Sequence, residues 1–266
     1  MNKFHRATRK CYYEDPCLYD CMACVIKVGP DYVELDRTVA YPEGGGQESD
    51  HGVIIAPDGL QIRFVHARKM YVTKVHIPDM PEVGVDGVVE HVVHDQDRAL
   101  IEKLRPGMPV MLRIDVVRRS RLSLSHTASH LVYLGVSKVR PDAMARTLGC
   151  HIRTTAARFD FAVDNRFTLE ELAEIQNIAN GFVARNGSVN LYAHPEYPDA
   201  RYWECEGEVI PCGGTHIGST GAIGSLVLQR KSLGKGKERV ACEFGQAVLK
   251  TEAFHAWNAN TGTDQE

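Results

Sequence analysis

Two short stretches carry side chains able to do chemistry, and each presents two ligand-type residues four positions apart. One is Ser125-His126-Thr127-Ala128-Ser129-His130; the other is Pro211-Cys212-Gly213-Gly214-Thr215-His216. Together they offer three imidazoles and one thiol, a natural donor set for Zn²⁺ in a near-tetrahedral array. The spacing argues against an ordinary zinc peptidase, whose HExxH motif needs Glu where Thr127 stands. It also departs from zinc fingers, which combine CxxC with a distant His pair. If His126, His130, Cys212 and His216 bind one ion together, the shell is closed, as in structural sites. If one donor gives way to water or substrate, the ion can act. Binding needs a deprotonated Cys212 and neutral imidazoles, so affinity should fall at acid pH.

These residues need elements to hold them. Leu122, Leu124, Leu131, Val132, Leu134 and Val136 predict a helix that begins near Ser123 or Ser125 and ends before Pro141, with Arg118, Arg119 and Arg121 ahead of it. On such a helix His126 and His130 lie one turn apart on one face. Thr168 and Glu171 form a capping box for a second helix, whose stripe Leu172, Ile175, Ile178, Ala179 and Phe182 runs to a stop at Asn186-Gly187. Val189 to Ala193 reads as a strand. Ile223 to Lys231 and Arg239 to Phe244 read as a hairpin around Gly234-Lys235-Gly236-Lys237.

The first 112 residues read as mostly β: short apolar runs separated by turns such as Gly29-Pro30-Asp31, Pro57-Asp58-Gly59 and Arg105-Pro106-Gly107, the last preceding a strand from Pro109 to Val116. Many short strands with regular turns suggest a small barrel or sandwich. Within this region Gly44-Gly45-Gly46-Gln47 is either a flexible loop or a place where backbone approaches something closely. It has neither dinucleotide-site spacing nor the Lys-Ser/Thr of a P-loop. The fold class is therefore α+β: a mostly β part, barrel or sandwich, over 1–112, a metal-binding α+β part over 113–257, and a polar tail over 258–266.

Composition narrows the function classes. With 44% hydrophobic and 24% charged residues, the chain can bury a real core. A net charge of −3 gives no global attraction to nucleic acid, so any such contact needs a local patch. No apolar run approaches the roughly 20 residues of a membrane span, and the polar start from Met1 to Lys10 has no signal-peptide core. The expectation is a cytoplasmic protein. Its eight cysteines then read as thiols or metal ligands. Cys17, Cys21 and Cys24 read as structural thiols.

Three motifs taken in order carry a resemblance: Thr38 through Gly52, His126-Thr-Ala-Ser-His130 and Pro211-Cys-Gly-Gly-Thr-His216. They resemble the stand-alone alanyl-tRNA editing proteins, relatives of the editing domain of alanyl-tRNA synthetase and, more distantly, of threonyl-tRNA synthetase. The likeness runs from about Cys11 to Phe244. It implies an N-terminal β-barrel-like domain over 1–112 joined to an α+β editing domain, Zn²⁺ on His126, His130, Cys212 and His216, and hydrolysis of the ester joining a wrong amino acid, most typically serine and sometimes glycine, to tRNA for alanine. It implies that Gly44, Gly45, Gly46 and Gln47 reach the editing pocket and that Thr38 reads the serine hydroxyl. Ala40 stands where the family usually has an aromatic, and Glu48 where it often has Pro, which touches the shape of the pocket.

Ester hydrolysis needs a positioned water and stabilisation of the oxyanion. The backbone amides around Gly214 and Thr215 are candidate oxyanion donors, and Thr38 and Gln47 complete the expected catalytic group. Two basic clusters are candidate contacts for tRNA phosphates, or merely solvated surface: Arg230, Lys231, Lys235, Lys237 and Arg239, and Arg118, Arg119 and Arg121. Two other classes fit the motifs: a non-catalytic tRNA- or synthetase-binding module with structural zinc, and a zinc hydrolase of a small-molecule ester or amide.

Overall fold

The computed structural model describes residues 7–258; the expected polar tail lies outside them except for Asn258. The first half opens with β1 (Arg9–Lys10) and a helical turn α1 (Cys11–Glu14), followed by β2 (Asp20–Val28), β3 (Tyr32–Leu35), β4 (Arg37–Thr38), β5 (Gly52–Ile55), β6 (Gln61–Met70), β7 (Thr73–Val75), β8 (Val83–Val85), β9 (Val88–Val93) and β10 (Pro109–Ile114). Six of these close a barrel in the order β10-β2-β3-β9-β6-β5. Its interior is filled by the inward-facing residues of alternating strands, among them Val25, Ile54, Ile62, Phe64 and Leu112. Closure removes the strand edges that an open sheet would leave unpaired. Gly59, at φ +84°, makes the turn expected of Pro57-Asp58-Gly59. The cysteines of β2 follow its alternation, with Cys21 buried and Cys24 exposed.

The second half contains α2 (Val116–Val139), α3 (Pro141–Met144), β11 (Thr147–Ile152), β12 (Ala156–Ala162), α4 (Leu169–Arg185), β13 (Asn190–Ala193), β14 (Arg201–Cys205), β15 (Glu208–Pro211), β16 (Val227–Gly234) and β17 (Lys237–Glu243). A four-stranded sheet, β11-β12-β17-β16, carries α2 and α4 against one face; a smaller sheet, β13-β14-β15, delivers the cysteine motif. Phe159, Phe161, Ile175, Ala179, Phe182 and Val240 share one core. The two helices come close at Gly135, where a Cβ would meet the Ile175 carbonyl at 2.8 Å. The capping box at Thr168 and the left-handed Asn186 stop of α4 are both present. Among the described residues, no helix is long and apolar enough to cross a membrane.

Two expectations need correction. The strand ending at Val116 stops at Ile114, and α2 begins well before Ser123. Its cap is Asp115, whose carboxylate accepts from the Arg118 amide at 3.0 Å and satisfies one of the free N–H groups of the first turn. Ser123 and Ser125 are therefore interior residues of a helix buried on nearly all sides between barrel and sheet. Small hydroxyl side chains suit that position: Thr127 and Ser129 donate back to the carbonyls of Ser123 and His126 at 2.9 and 2.7 Å. The early start also places Arg118 and Arg119 inside the helix.

Arg119 is fully buried and paired with fully buried Asp50 from the barrel loop. It also donates to the carbonyls of Val39 and Pro16 at 2.6 and 3.3 Å, while Asp50 accepts the Tyr41 amide at 2.7 Å. Arg119 is thus a tie between the metal-motif helix and the barrel, not a phosphate contact. Arg118 is likewise engaged, by Glu48 at 3.0 Å and the Ser49 carbonyl at 2.9 Å. Arg119→Met leaves Asp50 as an uncompensated buried charge and should cost about 3–5 kcal/mol in urea unfolding. The double variant Arg119→Met/Asp50→Asn should recover part of that loss.

A candidate metal centre

The helix and the Gly-Gly turn bring His126, His130, Cys212 and His216 together, with their ligand atoms within 4.8 Å of one another. Cys212 Sγ lies 3.4 Å from Nε2 of both His126 and His216. A tetrahedral Zn²⁺ with N and S donors sets donor–donor separations of about 3.3–3.8 Å, so these distances fit one divalent ion. Burial pushes the Cys212 thiol up to about 12 and His126 down to about 3; it also holds His130 and His216 well below their ordinary range. The imidazoles are already in the neutral form that binds metal, and only the thiol has a proton to lose.

Hydrogen bonds fix two of the ligands. The Gln47 carboxamide oxygen accepts from His126 Nδ1 at 2.7 Å, which leaves Nε2 free to bind. The same oxygen accepts the Thr215 amide at 3.0 Å, and the carboxamide nitrogen donates to the Thr215 hydroxyl at 2.9 Å. His216 Nδ1 lies 3.2 Å from the Thr127 hydroxyl. Buried Nδ1 of His130 has no hydrogen-bond partner among the described residues, and His130 packs edge-on against Trp203 with ring centroids 4.8 Å apart. Holding the non-ligating nitrogen fixes tautomer and ring orientation.

This arrangement revises the expected roles of several residues. Gln47 and Thr215 are buried behind His126. The Thr215 amide is bound to Gln47, and the Gly214 amide donates to Cys212 Sγ at 3.4 Å, so neither is free for an oxyanion. Gly214 serves a close approach: a Cβ there would meet His126 Cε1 at 2.1 Å. Gly45 and Gly46 take positive φ, and a Cβ on Gly46 would meet Cys150 Sγ at 2.3 Å. The Gly46 carbonyl accepts the Ile152 amide at 2.8 Å. The glycine run is therefore a seam between barrel loop and β11, with Gly44 and Gly45 lining the cleft above the metal motif.

Thr38 is not brought to that cleft. It is fully buried, and its hydroxyl donates to His91 Nε2 at 2.8 Å and accepts the Ala40 amide at 3.0 Å. Burial holds His91 neutral, at about 4. Ala40 is packed in the barrel core. The basic hairpin also lies apart, two strands away from β11. Arg230 pairs with buried Glu238 at 3.2 Å and Arg239 with Asp160 at 2.7 Å, whereas Lys231, Lys235 and Lys237 are exposed.

The cleft has a volume of ≈ 520 Å³, within the roughly 300–1,000 Å³ of small-ligand sites. Sequence reading missed one wall of it. Tyr13 of α1 places its hydroxyl 2.9 Å from where a Gly213 Cβ would stand, and Lys69, Asp199 and Arg201 line the cleft beside it. A Tyr-Tyr pair in a four-residue turn has no periodic signature, and only its docking reveals it.

Comparison with known proteins gives a consistent pattern. Residues 191–241 match the family described as the threonyl and alanyl tRNA synthetase second additional domain. The alanyl-tRNA editing protein AlaX-M of Pyrococcus horikoshii is 31% identical over 235 residues, covering 88% of this chain and 96% of that protein. The alanine–tRNA ligases of Ignicoccus hospitalis and Pyrococcus furiosus are 32% and 31% identical over 92% and 91% of this chain. The chain spans only 27% and 26% of those ligases.

Two measurements check the centre. Gln47→Leu should weaken Co²⁺ binding by about 10–100-fold without unfolding the chain. Because the thiol is protonated and the imidazoles neutral at pH 7, metal uptake should release one proton per site. Affinity should then rise about tenfold per pH unit through the neutral range. Calorimetric titration in buffers of different protonation enthalpy reads this directly, and uptake without proton release would contradict the thiolate ligand.

Proposed function

The chain belongs to the alanyl-tRNA editing proteins, and from that membership we propose that it is a zinc-dependent deacylase that hydrolyses the ester joining a wrongly attached amino acid, most typically serine, to tRNA for alanine. The observation that supports this is the convergence of His126, His130, Cys212 and His216 on one another, with His126, His130 and Cys212 on the floor of a cleft walled by both halves of the chain. Zn²⁺ held by these four residues would supply an electrophile beside the reacting ester. The chain's own residues do the rest. Gln47 and Thr127 hold His126 and His216 in the binding tautomer. Gly213 and Gly214 keep the floor free of side chains, and the Tyr13 hydroxyl borders that floor.

Hydrolysis adds water across the acyl C–O bond: the hydroxyl goes to the acyl carbon and the proton to the terminal ribose oxygen. An aminoacyl ester is already activated, so the site has mainly to orient water and ester. Rejecting serine while sparing alanine is the favourable direction for a polar-lined site, since alanine leaves its hydrogen-bonding groups unmet. Thr38 is committed inside the barrel, so the groups that meet the serine hydroxyl are sought on the cleft wall.

A second reading keeps zinc purely structural, and the four-donor shell favours it, because such shells are usually closed. One assay separates the readings. Zinc-loaded protein given seryl-tRNA for alanine should release serine and largely spare alanyl-tRNA. Cys212→Ala should lower the rate by about a hundredfold or more. Binding of the charged tRNA without release would establish the structural-zinc module. Equal turnover of a free seryl ester would establish a small-molecule hydrolase.

A further inference from the structure

Arg201 has an unusual setting for a partly buried cation. Its guanidinium stacks over the Tyr13 ring at 4.8 Å, lines the cleft, and has neither a carboxylate partner nor a side-chain hydrogen bond among the described residues. Burial pulls its pKa down, against the weaker opposing pull of Tyr13 and Asp199, as expected for a charge partly removed from water. The nearby acids are taken. Asp199 is bound by Lys10 at 2.5 Å and by the Asp86 amide at 2.7 Å, with Lys69 at 3.9 Å. Across the cleft, Glu82 pairs with Lys74 at 2.5 Å, while Glu43 stands 3.7 Å from His66 with its side chain largely exposed to water. Asp199 thus stands among Lys10, Lys69 and Arg201, and of these cations Lys69 and Arg201 line the cleft.

The backbone ties this charge to the metal motif. Arg201 stands across the β14–β15 ladder from Cys212, whose amide donates to the Arg201 carbonyl at 2.8 Å. Stacking on Tyr13 fixes the plane of the guanidinium and leaves its five N–H donors for a ligand. A planar donor fork next to a cleft is suited to a phosphate, which it can meet with two parallel hydrogen bonds.

We propose that Arg201, with Lys69 beside it, is the phosphate-holding subsite of the cleft and takes the phosphate of the substrate's 3′-terminal nucleotide, one nucleoside away from the ester. The placement of that ester rests on the deacylase reading; the binding of an RNA end does not. This subsite, not the Lys231 to Lys237 hairpin, then sets the register of the RNA end over the metal motif. Phosphate contacts of this kind position a nucleic acid without reading its bases.

The test uses an uncharged RNA minihelix with a free 3′ single strand and a 5′ fluorophore, titrated with full-length protein by fluorescence anisotropy at several salt concentrations. Arg201→Gln should weaken binding about tenfold. It should also lower the slope of log affinity against log salt by about 0.7, the loss of one phosphate contact. Lys69→Gln should act in the same direction. Arg201→Lys, which keeps the charge and guards against misfolding, should restore the slope but only part of the affinity. Unchanged affinity and slope in Arg201→Gln would overturn the proposal. So would an effect seen in Lys235→Gln but not in Arg201→Gln, or wild-type protein that binds no minihelix at any salt. Wild-type protein that binds the minihelix in this Arg201-dependent way but never releases an amino acid from charged tRNA keeps the subsite and removes the deacylase reading. Deacylation with a KM and salt dependence indifferent to Arg201→Gln removes the subsite alone.

Discussion

The structure depends on one side chain reaching from the barrel into the metal motif. The Gln47 carboxamide contacts His126 and both the amide and hydroxyl of Thr215, so one planar group orients a ligand on the helix and fixes the turn that carries Cys212 and His216. It is fully buried, which makes each of those hydrogen bonds expensive to lose. The glycine run before it exists to deliver it. Gly46 lies against Cys150 too closely for any Cβ, and its carbonyl joins the loop to β11. Arg119 supports the same junction from the other side, holding the loop through Asp50.

The electrostatics follow from this enclosure. Three buried imidazoles and a half-buried thiol are kept neutral by the lack of solvent, so the centre needs no charged protein partner. The same burial leaves Arg201 as a cation without a matching acid at the cleft wall. On the proposed reading, the neutral floor holds the ion and Arg201 on the wall holds the anionic chain.

Much of this was legible in the sequence wherever local rules act. The capping box at Thr168, the Asn186 stop, the Pro57-Asp58-Gly59 turn and the two i, i+4 ligand pairs are short-range signals, and the structure shows each of them. The α+β class followed from the strand and turn pattern, which left barrel or sandwich open; the closed barrel is the one the family resemblance implied. Tertiary context decided what could not be read. Asp115 won as helix cap over two serines because the strand before it ends at Ile114. Thr38 looked available on a strand, but a buried neutral His91 consumes its hydroxyl. Arg119 resembled a phosphate ligand until its buried partner Asp50 appeared. The Tyr13 and Arg201 wall left no trace because its members lie far apart in the chain.

Gln47 meets Thr215 across 168 positions, and Lys10 meets Asp199 across 189. Bringing such distant segments together requires closing very long loops before any contact rewards the closure. The four ligands all belong to the second half, but the Gln47 carboxamide reaches His126 and Thr215 only where barrel and sheet have docked. The orientation of the metal motif therefore depends on the two halves having met.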